Sequence, residues 1–240
     1  MTLAVRDAGL RELMDDPACD PARLRRTLQR FGLVNRAVSC WDGVHRSQLR
    51  PFFAGLGRPA RVLDIGCGGG DVLRRLVQLA RRDGFVVEAV GIDPDPHAIA
   101  VAKRADFMPG VAYRQVLSQS LVQEGERFDA VISNHLLHHL DEVSLAGLLY
   151  DSEALSSGIS LHSDIARGRV AYGAFALLAA PVAMGTFVWV DGLRSIRRSY
   201  TRAELAAVLP DGWRVDSPGT FRLLACFDHT STHRSPSDRG

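Results

Sequence analysis

One stretch limits what this chain can fold into more than any other: Val62-Leu63-Asp64-Ile65-Gly66-Cys67-Gly68-Gly69-Gly70-Asp71. It reads as a short apolar strand, a glycine turn and the first residue of a helix. Glycines let the backbone adopt positive φ and approach a ligand closely. The new helix offers unpaired N–H groups beside the turn. This arrangement belongs at the carboxyl edge of a parallel sheet, where nucleotide-like cofactors bind.

The spacing of the glycines restricts the cofactor. A dinucleotide fingerprint reads G-x-G-x-x-G, with the third glycine packing helix on strand. Here Gly66, Gly68 and Gly70 fall as G-x-G-x-G, and Asp71 stands where that third glycine would be. A carboxylate at that point would repel a pyrophosphate. A P-loop is excluded because no Gly-Lys-Ser/Thr follows. Asp71 and the lack of a conventional hydride-transfer triad also disfavour a nicotinamide dehydrogenase. A cofactor that is not anionic at this point fits better. Further along, Phe85 to Ile92 reads as a strand ended by Asp93. An acidic residue about 20 residues or more beyond the turn commonly accepts hydrogen bonds from ribose hydroxyls. The alternative makes Asp93 only a turn residue in Asp93-Pro94-Asp95-Pro96. Asp95 then caps the next helix, with Pro96 at its first position.

The run Leu63 to Gly70 closely resembles the first motif of class I S-adenosylmethionine (SAM) methyltransferases. The resemblance implies SAM as cofactor, with the glycines under its methionine part. Asp64 matches the acidic residue that serves the SAM ammonium group, and Asp93 matches the ribose ligand. The cofactor set implied is Asp64, Gly66, Cys67, Gly68, Asp71, Asp93, Pro94, Ser118 and Asn134. One departure stands out. Many relatives carry an acidic residue after the third strand that contacts the adenine amino group. This chain has Val116-Leu117-Ser118-Gln119-Ser120, so Ser118 or a backbone carbonyl must substitute. Glu12-Leu13-Met14-Asp15-Asp16-Pro17, Leu33-Val34-Asn35-Arg36 and Asp164-Ile165-Ala166-Arg167 resemble, less specifically, methyltransferases that decorate phenolic, quinone or polyketide products.

Methyl transfer from a sulfonium is an in-line displacement. Positioning supplies much of its acceleration, and a hydroxyl acceptor gains from a base. The run Asn134-His135-Leu136-Leu137-His138-His139-Leu140 resembles the fourth family motif, where small-molecule methyltransferases often carry paired histidines. Histidine is suitably poised near neutral pH. His139 or His138 is therefore a candidate base, although one of such a pair often only packs. His162 with Asp164, at the end of the fifth strand, is a second candidate base with its orienting partner. The chemistry requires no metal, and none is expected. The leading expectation is O-methylation of a small aromatic or polyketide-like acceptor. C- or N-methylation on the same scaffold, or a SAM-binding protein that does not methylate, are the alternatives.

The expected fold is a doubly wound, seven-stranded, Rossmann-like sheet with an antiparallel last strand. Residues 1–57 read as a helical cap, 58–229 as the SAM-binding core with a lid insertion at 165–200, and 230–240 as a flexible tail. The cap carries Leu24, Leu28 and Phe31, then Val34, Val38, Trp41 and Val44, at helical spacing. The net charge of +2 gives no footprint for nucleic acid. Cys19, Cys40, Cys67 and Cys226 form neither a zinc pattern nor a disulfide framework, and Cys67 reads as a small turn residue. A reducing cytoplasm is the default. Val170 to Val190 carries no charge, but Gly173, Pro181 and Gly185 interrupt it. Two short helices forming an apolar lid are expected there, without membrane insertion. Tyr172, Phe175, Phe187 and Trp189 would line an acceptor site or simply pack. Arg194, Arg197 and Arg198 would hold an acidic substrate group or form a solvated helix face. The oligomeric state is not legible.

Overall fold

The computed structural model describes residues 3–16, 18–179 and 183–229, and only the backbone of 31–38. Seven strands form one sheet in the order β3-β2-β1-β4-β5-β7-β6. They are β1 (Ala60–Ile65), β2 (Val87–Ile92), β3 (Val111–Arg114), β4 (Phe128–Asn134), β5 (Ser156–Ile165), β6 (Trp213–Gly219) and β7 (Arg222–Asp228). The first five are mutually parallel, and β7 runs antiparallel to both β5 and β6. The doubly wound sheet with its reversed last pair is as expected. Strand order reverses between β1 and β4, so the ligand crevice of such a sheet lies above their carboxyl ends.

Two apolar layers sandwich the sheet. On one face, α4 (Asp71–Arg82) buries Val72, Leu73, Leu76, Val77 and Ala80, the stripe its spacing predicts. Trp41 and Val44 of α2 (Trp41–Val44) and Phe53 of α3 (Arg50–Leu56) complete that layer. On the other face lie Leu121 of α6 (Ser118–Gln123), Leu145, Leu148, Leu149 and Leu155 of α7 (Glu142–Leu155), and Leu205 of α10 (Arg202–Val208). The helix starts are set by local chemistry. Asp20 accepts from the amides of Ala22 (2.8 Å) and Arg23 (3.2 Å) at the head of α1 (Pro21–Val38). Asp95 accepts from His97 N (2.8 Å) at α5 (Pro96–Arg104), with Pro96 leading the first turn. Strand β5 begins at Ser156 without an intervening loop, because α7 runs straight into it.

The uncharged run forms α8 (Arg169–Leu178) and leads into α9 (Val188–Arg198). Pro181, the expected bend, and the tail 230–240 lie outside the described residues, as do the side chains of Phe31, Val34 and Val38. Among the described residues no helix is long and apolar enough to cross a membrane. Helices α8 and α9 touch closely: a Cβ at Gly192 would run into the Phe175 ring. Phe187 is buried against Leu24 and Leu28 of α1, with the Arg23 guanidinium 4.2 Å above its ring. Trp189 donates through Nε1 to Ala176 O (2.9 Å). Phe175 and Phe187 thus serve the packing of α1, α8 and α9, whereas Trp189 is 37% exposed and lines a cavity with Tyr172, Arg194 and Arg197.

Candidate active site

Strand β1 ends in a turn whose Gly66, Gly68 and Gly70 take φ of 69°, 54° and 72°. That left-handed region is costly for residues with a Cβ. The turn is pinned to the end of β2, where Ile92 O accepts from Gly66 N (2.8 Å) and Cys67 N (3.0 Å). Asp93, the next residue, accepts from Gly68 N through Oδ2 (3.0 Å) and from Asp95 N through Oδ1 (2.9 Å). A carboxylate has about four lone-pair sites, so Asp93 keeps acceptor capacity toward the crevice. A Cβ at Gly68 would meet nothing within 4 Å, so the crest of the turn faces open space. Gly70 and Gly91 instead lie against Tyr113, where a Cβ on either would strike its ring. Arg74 holds that phenol at 3.1 Å. Neither Tyr113 nor Arg74 was marked by any sequence signal.

Asp64 is buried below the turn, and its Oδ1 has no hydrogen-bond partner. Burial, then the Asp71 and Asp93 charges, raise its pKa well above the carboxylate range. Such an orphaned oxygen is costly unless a cation or donor reaches it. The ammonium of SAM is such a group, so these residues fit that cofactor. Three carboxylates around one turn would repel a diphosphate. Burial first, then Asp64, pushes the Cys67 thiol up, so Cys67 is a small neutral filler. Pro94 O accepts from Gln115 Nε2 (3.3 Å). Ser118 donates its hydroxyl to Asp151 Oδ2 on α7 (2.6 Å), so its oxygen keeps only acceptor capacity.

At the end of β4 the Asn134 Oδ1 accepts from Trp41 Nε1 (3.0 Å) and Arg222 Nη2 (2.8 Å). His135 follows with φ of 56°, a rare conformation for a residue with a Cβ. Its Nε2 lies 2.8 Å from Arg222 Nη1. Arginine only donates, so Nε2 is the acceptor and the proton sits on Nδ1. Burial, then Arg222, holds the His135 pKa well below its usual value. A short 3₁₀ turn, Leu137–His139, then swings His138 over the end of β5. Asp164 Oδ1 pairs with His138 Nδ1 (2.6 Å), and Oδ2 accepts from His138 N (2.8 Å). Burial opposes charge on His138, but the Asp164 and Glu12 carboxylates prevail and raise its pKa to about 9.

This overturns the pairing of His162 with Asp164. His162 is buried, bonds Ser133 Oγ through Nδ1 (2.8 Å) and stacks on Trp213 at 5.4 Å. Burial lowers its pKa to about 3, so it is a neutral packing residue. The two side chains are neighbours along one face of β5, but Asp164 turns to the ring that the 3₁₀ turn delivers.

The N-terminal segment completes the cluster. Glu12 is buried, accepts from Ser195 Oγ (2.7 Å), and faces His138 Nε2 at 3.4 Å and His139 Nε2 at 3.7 Å. Asp15 Oδ2 lies 3.3 Å from His139 Nδ1. His139 is the outer ring of the pair, its side chain 25% exposed. The segment is fastened to α9: Asp191 accepts from Leu13 N (2.7 Å) and Met14 N (3.0 Å). The arginines expected to meet substrate or solvent do this fastening instead. Arg194 donates to Arg11 O (2.7 Å), Arg197 pairs with Asp7, and Arg198 bridges Asp15 (3.4 Å) and His139 O (3.2 Å). Arg167 likewise donates to Leu3 O (3.0 Å). Sequence reasoning missed Glu12, Asp15 and Arg222 as site residues. The Glu12–Pro17 run is marked only by its resemblance to product-decorating methyltransferases, and Arg222 shows only as a lone arginine opening an apolar strand.

A family model described as a methyltransferase domain matches residues 20–208. The chain is 34% identical over 118 residues to the ubiquinone biosynthesis O-methyltransferase of Azorhizobium caulinodans, covering 48% of this chain and 42% of that enzyme. It is 30% identical over 175 residues to the protein of the same name from Methylocella silvestris, covering 65% of each. The chain thus spans less than two thirds of the length of these curated relatives. Among solved structures it resembles the plantazolicin methyltransferase BpumL in complex with a desmethyl analogue and S-adenosylhomocysteine (SAH). There the TM-score is 0.57 at 12% identity, covering 85% of this chain and 95% of that one. It also resembles human N-acetylserotonin methyltransferase in complex with SAM, at TM-score 0.59 and 14% identity, covering 85% and 55%. At such identities these two likenesses establish the fold.

Proposed function

Because this chain belongs to the SAM-dependent methyltransferases, we propose that it transfers the sulfonium methyl to a hydroxyl of a small aromatic, quinone or polyketide-like acceptor. The observation that carries the reading is the buried Asp64 carboxylate with its unpartnered Oδ1, directly beneath the open glycine crest. When bound there, SAM supplies an electrophilic methyl on a positive sulfur. Asp64 holds the ammonium, Asp93 the ribose hydroxyls, and the Gly66–Gly70 backbone lets the methionine part approach. Asn134 keeps its side chain on Trp41 and Arg222, so it shapes the floor of the crevice rather than reaching into it.

The acceptor side is the histidine cluster at the same sheet edge. His138 is clamped between Asp164 and Glu12 and carries its own proton, so it is a positioning residue. His139 is the part-exposed ring, oriented by Asp15, and it takes the acceptor's proton as the new O–C bond forms. The relatives named for ubiquinone biosynthesis favour an aromatic acceptor over a polar one. The N-terminal segment and α9 close over this side together, which would exclude water during transfer.

The test is a panel of phenols and demethylated quinones incubated with methyl-labelled SAM, with products identified by mass spectrometry. An O-methylated product is expected, and product methylated at carbon or nitrogen would overturn the hydroxyl reading. His139→Ala should lower turnover by roughly 10²–10⁴-fold while leaving SAH affinity intact. Equal turnover would make His139 a packing residue.

A further inference from the structure

We propose that Glu12 Oε1, His138 Nε2 and His139 Nε2 form a binding site for one divalent transition-metal ion of the zinc type. The proposal rests on the reading that the acceptor hydroxyl is activated at this cluster. It makes His139 a ligand where the metal-free protein would use it as a base.

Four observations converge. First, both imidazoles present Nε2 to the same carboxylate oxygen, at 3.4 and 3.7 Å. Donors bound tetrahedrally at about 2.0–2.2 Å from a zinc ion lie about 3.3–3.6 Å from one another. Two edges of a coordination tetrahedron are thus already close to that length, and all three atoms lie within 4.8 Å of one another. Second, each ring is held from behind at Nδ1 by a carboxylate, His138 by Asp164 (2.6 Å) and His139 by Asp15 (3.3 Å). That is the arrangement by which outer carboxylates orient metal-bound histidines and strengthen them as donors. Third, His138 Nε2 is buried and has no hydrogen-bond partner, yet it aims into the cluster. Fourth, two imidazoles with one carboxylate suit zinc, cobalt, nickel or iron, whereas magnesium and calcium favour all-oxygen sites.

Glu12 is the member furthest away in sequence, and Ser195 fixes its oxygen at 2.7 Å. The negative charge of Glu12, Asp15 and Asp164 is what a divalent cation would balance. The 25% exposure of the His139 side chain is the route by which an acceptor oxygen would reach such an ion. A Lewis acid there lowers the pKa of a ligated hydroxyl, which is the activation that methyl transfer to oxygen needs.

The experiment titrates the full chain, stripped with chelator and without SAM, with Zn²⁺ by calorimetry, and records the visible spectrum after Co²⁺ replacement. One equivalent should bind, with tetrahedral cobalt bands. Asp15→Asn should weaken zinc by roughly 10–100-fold, as loss of an outer carboxylate does. Glu12→Gln and His139→Ala should each abolish the stoichiometric site and the cobalt bands. SAH calorimetry on every variant shows whether it is folded. Should the buried Glu12→Gln fail to fold, the half-exposed His139→Ala still decides. No stoichiometric uptake, or uptake unchanged by His139→Ala, overturns the proposal and leaves an imidazolium–carboxylate network. That outcome leaves methyl transfer standing with His139 as its base. Failure to find an O-methylated product would leave the metal result untouched.

Discussion

Replacing Asp64 with asparagine should move stability and cofactor affinity in opposite directions. The side chain is 1% exposed, and one of its oxygens is without a partner. Burial, then Asp71 and Asp93, raise its folded pKa well above the ordinary carboxylate value. The folded chain therefore keeps a proton that the unfolded chain releases. Stability falls as pH climbs from the unfolded value through the folded one. Asparagine has nearly the same shape and no charge to titrate, so the ligand-free variant should lose less stability between pH 4 and pH 8. With cofactor the balance reverses. The SAM and SAH ammonium would lose a charge-assisted partner worth about 1.5–3 kcal/mol, which is roughly a 10- to 150-fold rise in Kd. Thermal unfolding without ligand at several pH values, and calorimetric titration with SAH, measure the two arms. An asparagine variant that binds SAH with unchanged affinity, or that is less stable than the parent at pH 8, refutes the reasoning.

Two further outcomes test the fold around the site. Asp129 is buried, accepts from Arg58 (2.6 and 2.9 Å) and Arg61 N (2.8 Å), and burial is outweighed by Arg58 so that its pKa is lowered. Asp129→Ala should cost about 1–3 kcal/mol in chemical denaturation, chiefly by leaving the Arg61 amide without its acceptor, and the parent should lose this contribution as pH falls below the ordinary carboxylate value. Gly192→Ala should destabilise by about 1–3 kcal/mol because its Cβ meets Phe175, whereas Gly173→Ala, with open space around it, should gain about 0.5–1 kcal/mol. A paired thermal-shift comparison showing both variants stabilised would disprove the close contact of α8 with α9.

Where the sequence reading succeeded, the relevant signal was short in range. The glycine turn, the Asp95 cap and the apolar stripe of α4 each depend on neighbours a few residues away. Asp93 was legible for the same reason, since it follows its strand directly and bonds the turn it was expected to face. The histidines were legible as a group but not in their pairings. Spacing along β5 suggested His162 with Asp164, yet a 3₁₀ turn from another segment brought His138 to that carboxylate and left His162 under Trp213. Ser118 was rightly seen as a departure, but its commitment to Asp151 across two helices was invisible.

Residue order along this chain determined the sheet, the helix starts and the identity of the cofactor turn, because periodicity, capping and glycine conformations act over one turn or one strand. Only tertiary structure decided which charges share a buried site. Glu12 and Ser195 are 183 positions apart, and Trp41 and Asn134 are 93 apart. Nothing local distinguishes a carboxylate bound for solvent from one that will be buried against two histidines. That choice is made when the N-terminal segment docks on α9, and burial then sets protonation, pairing and the chemistry left open to the site.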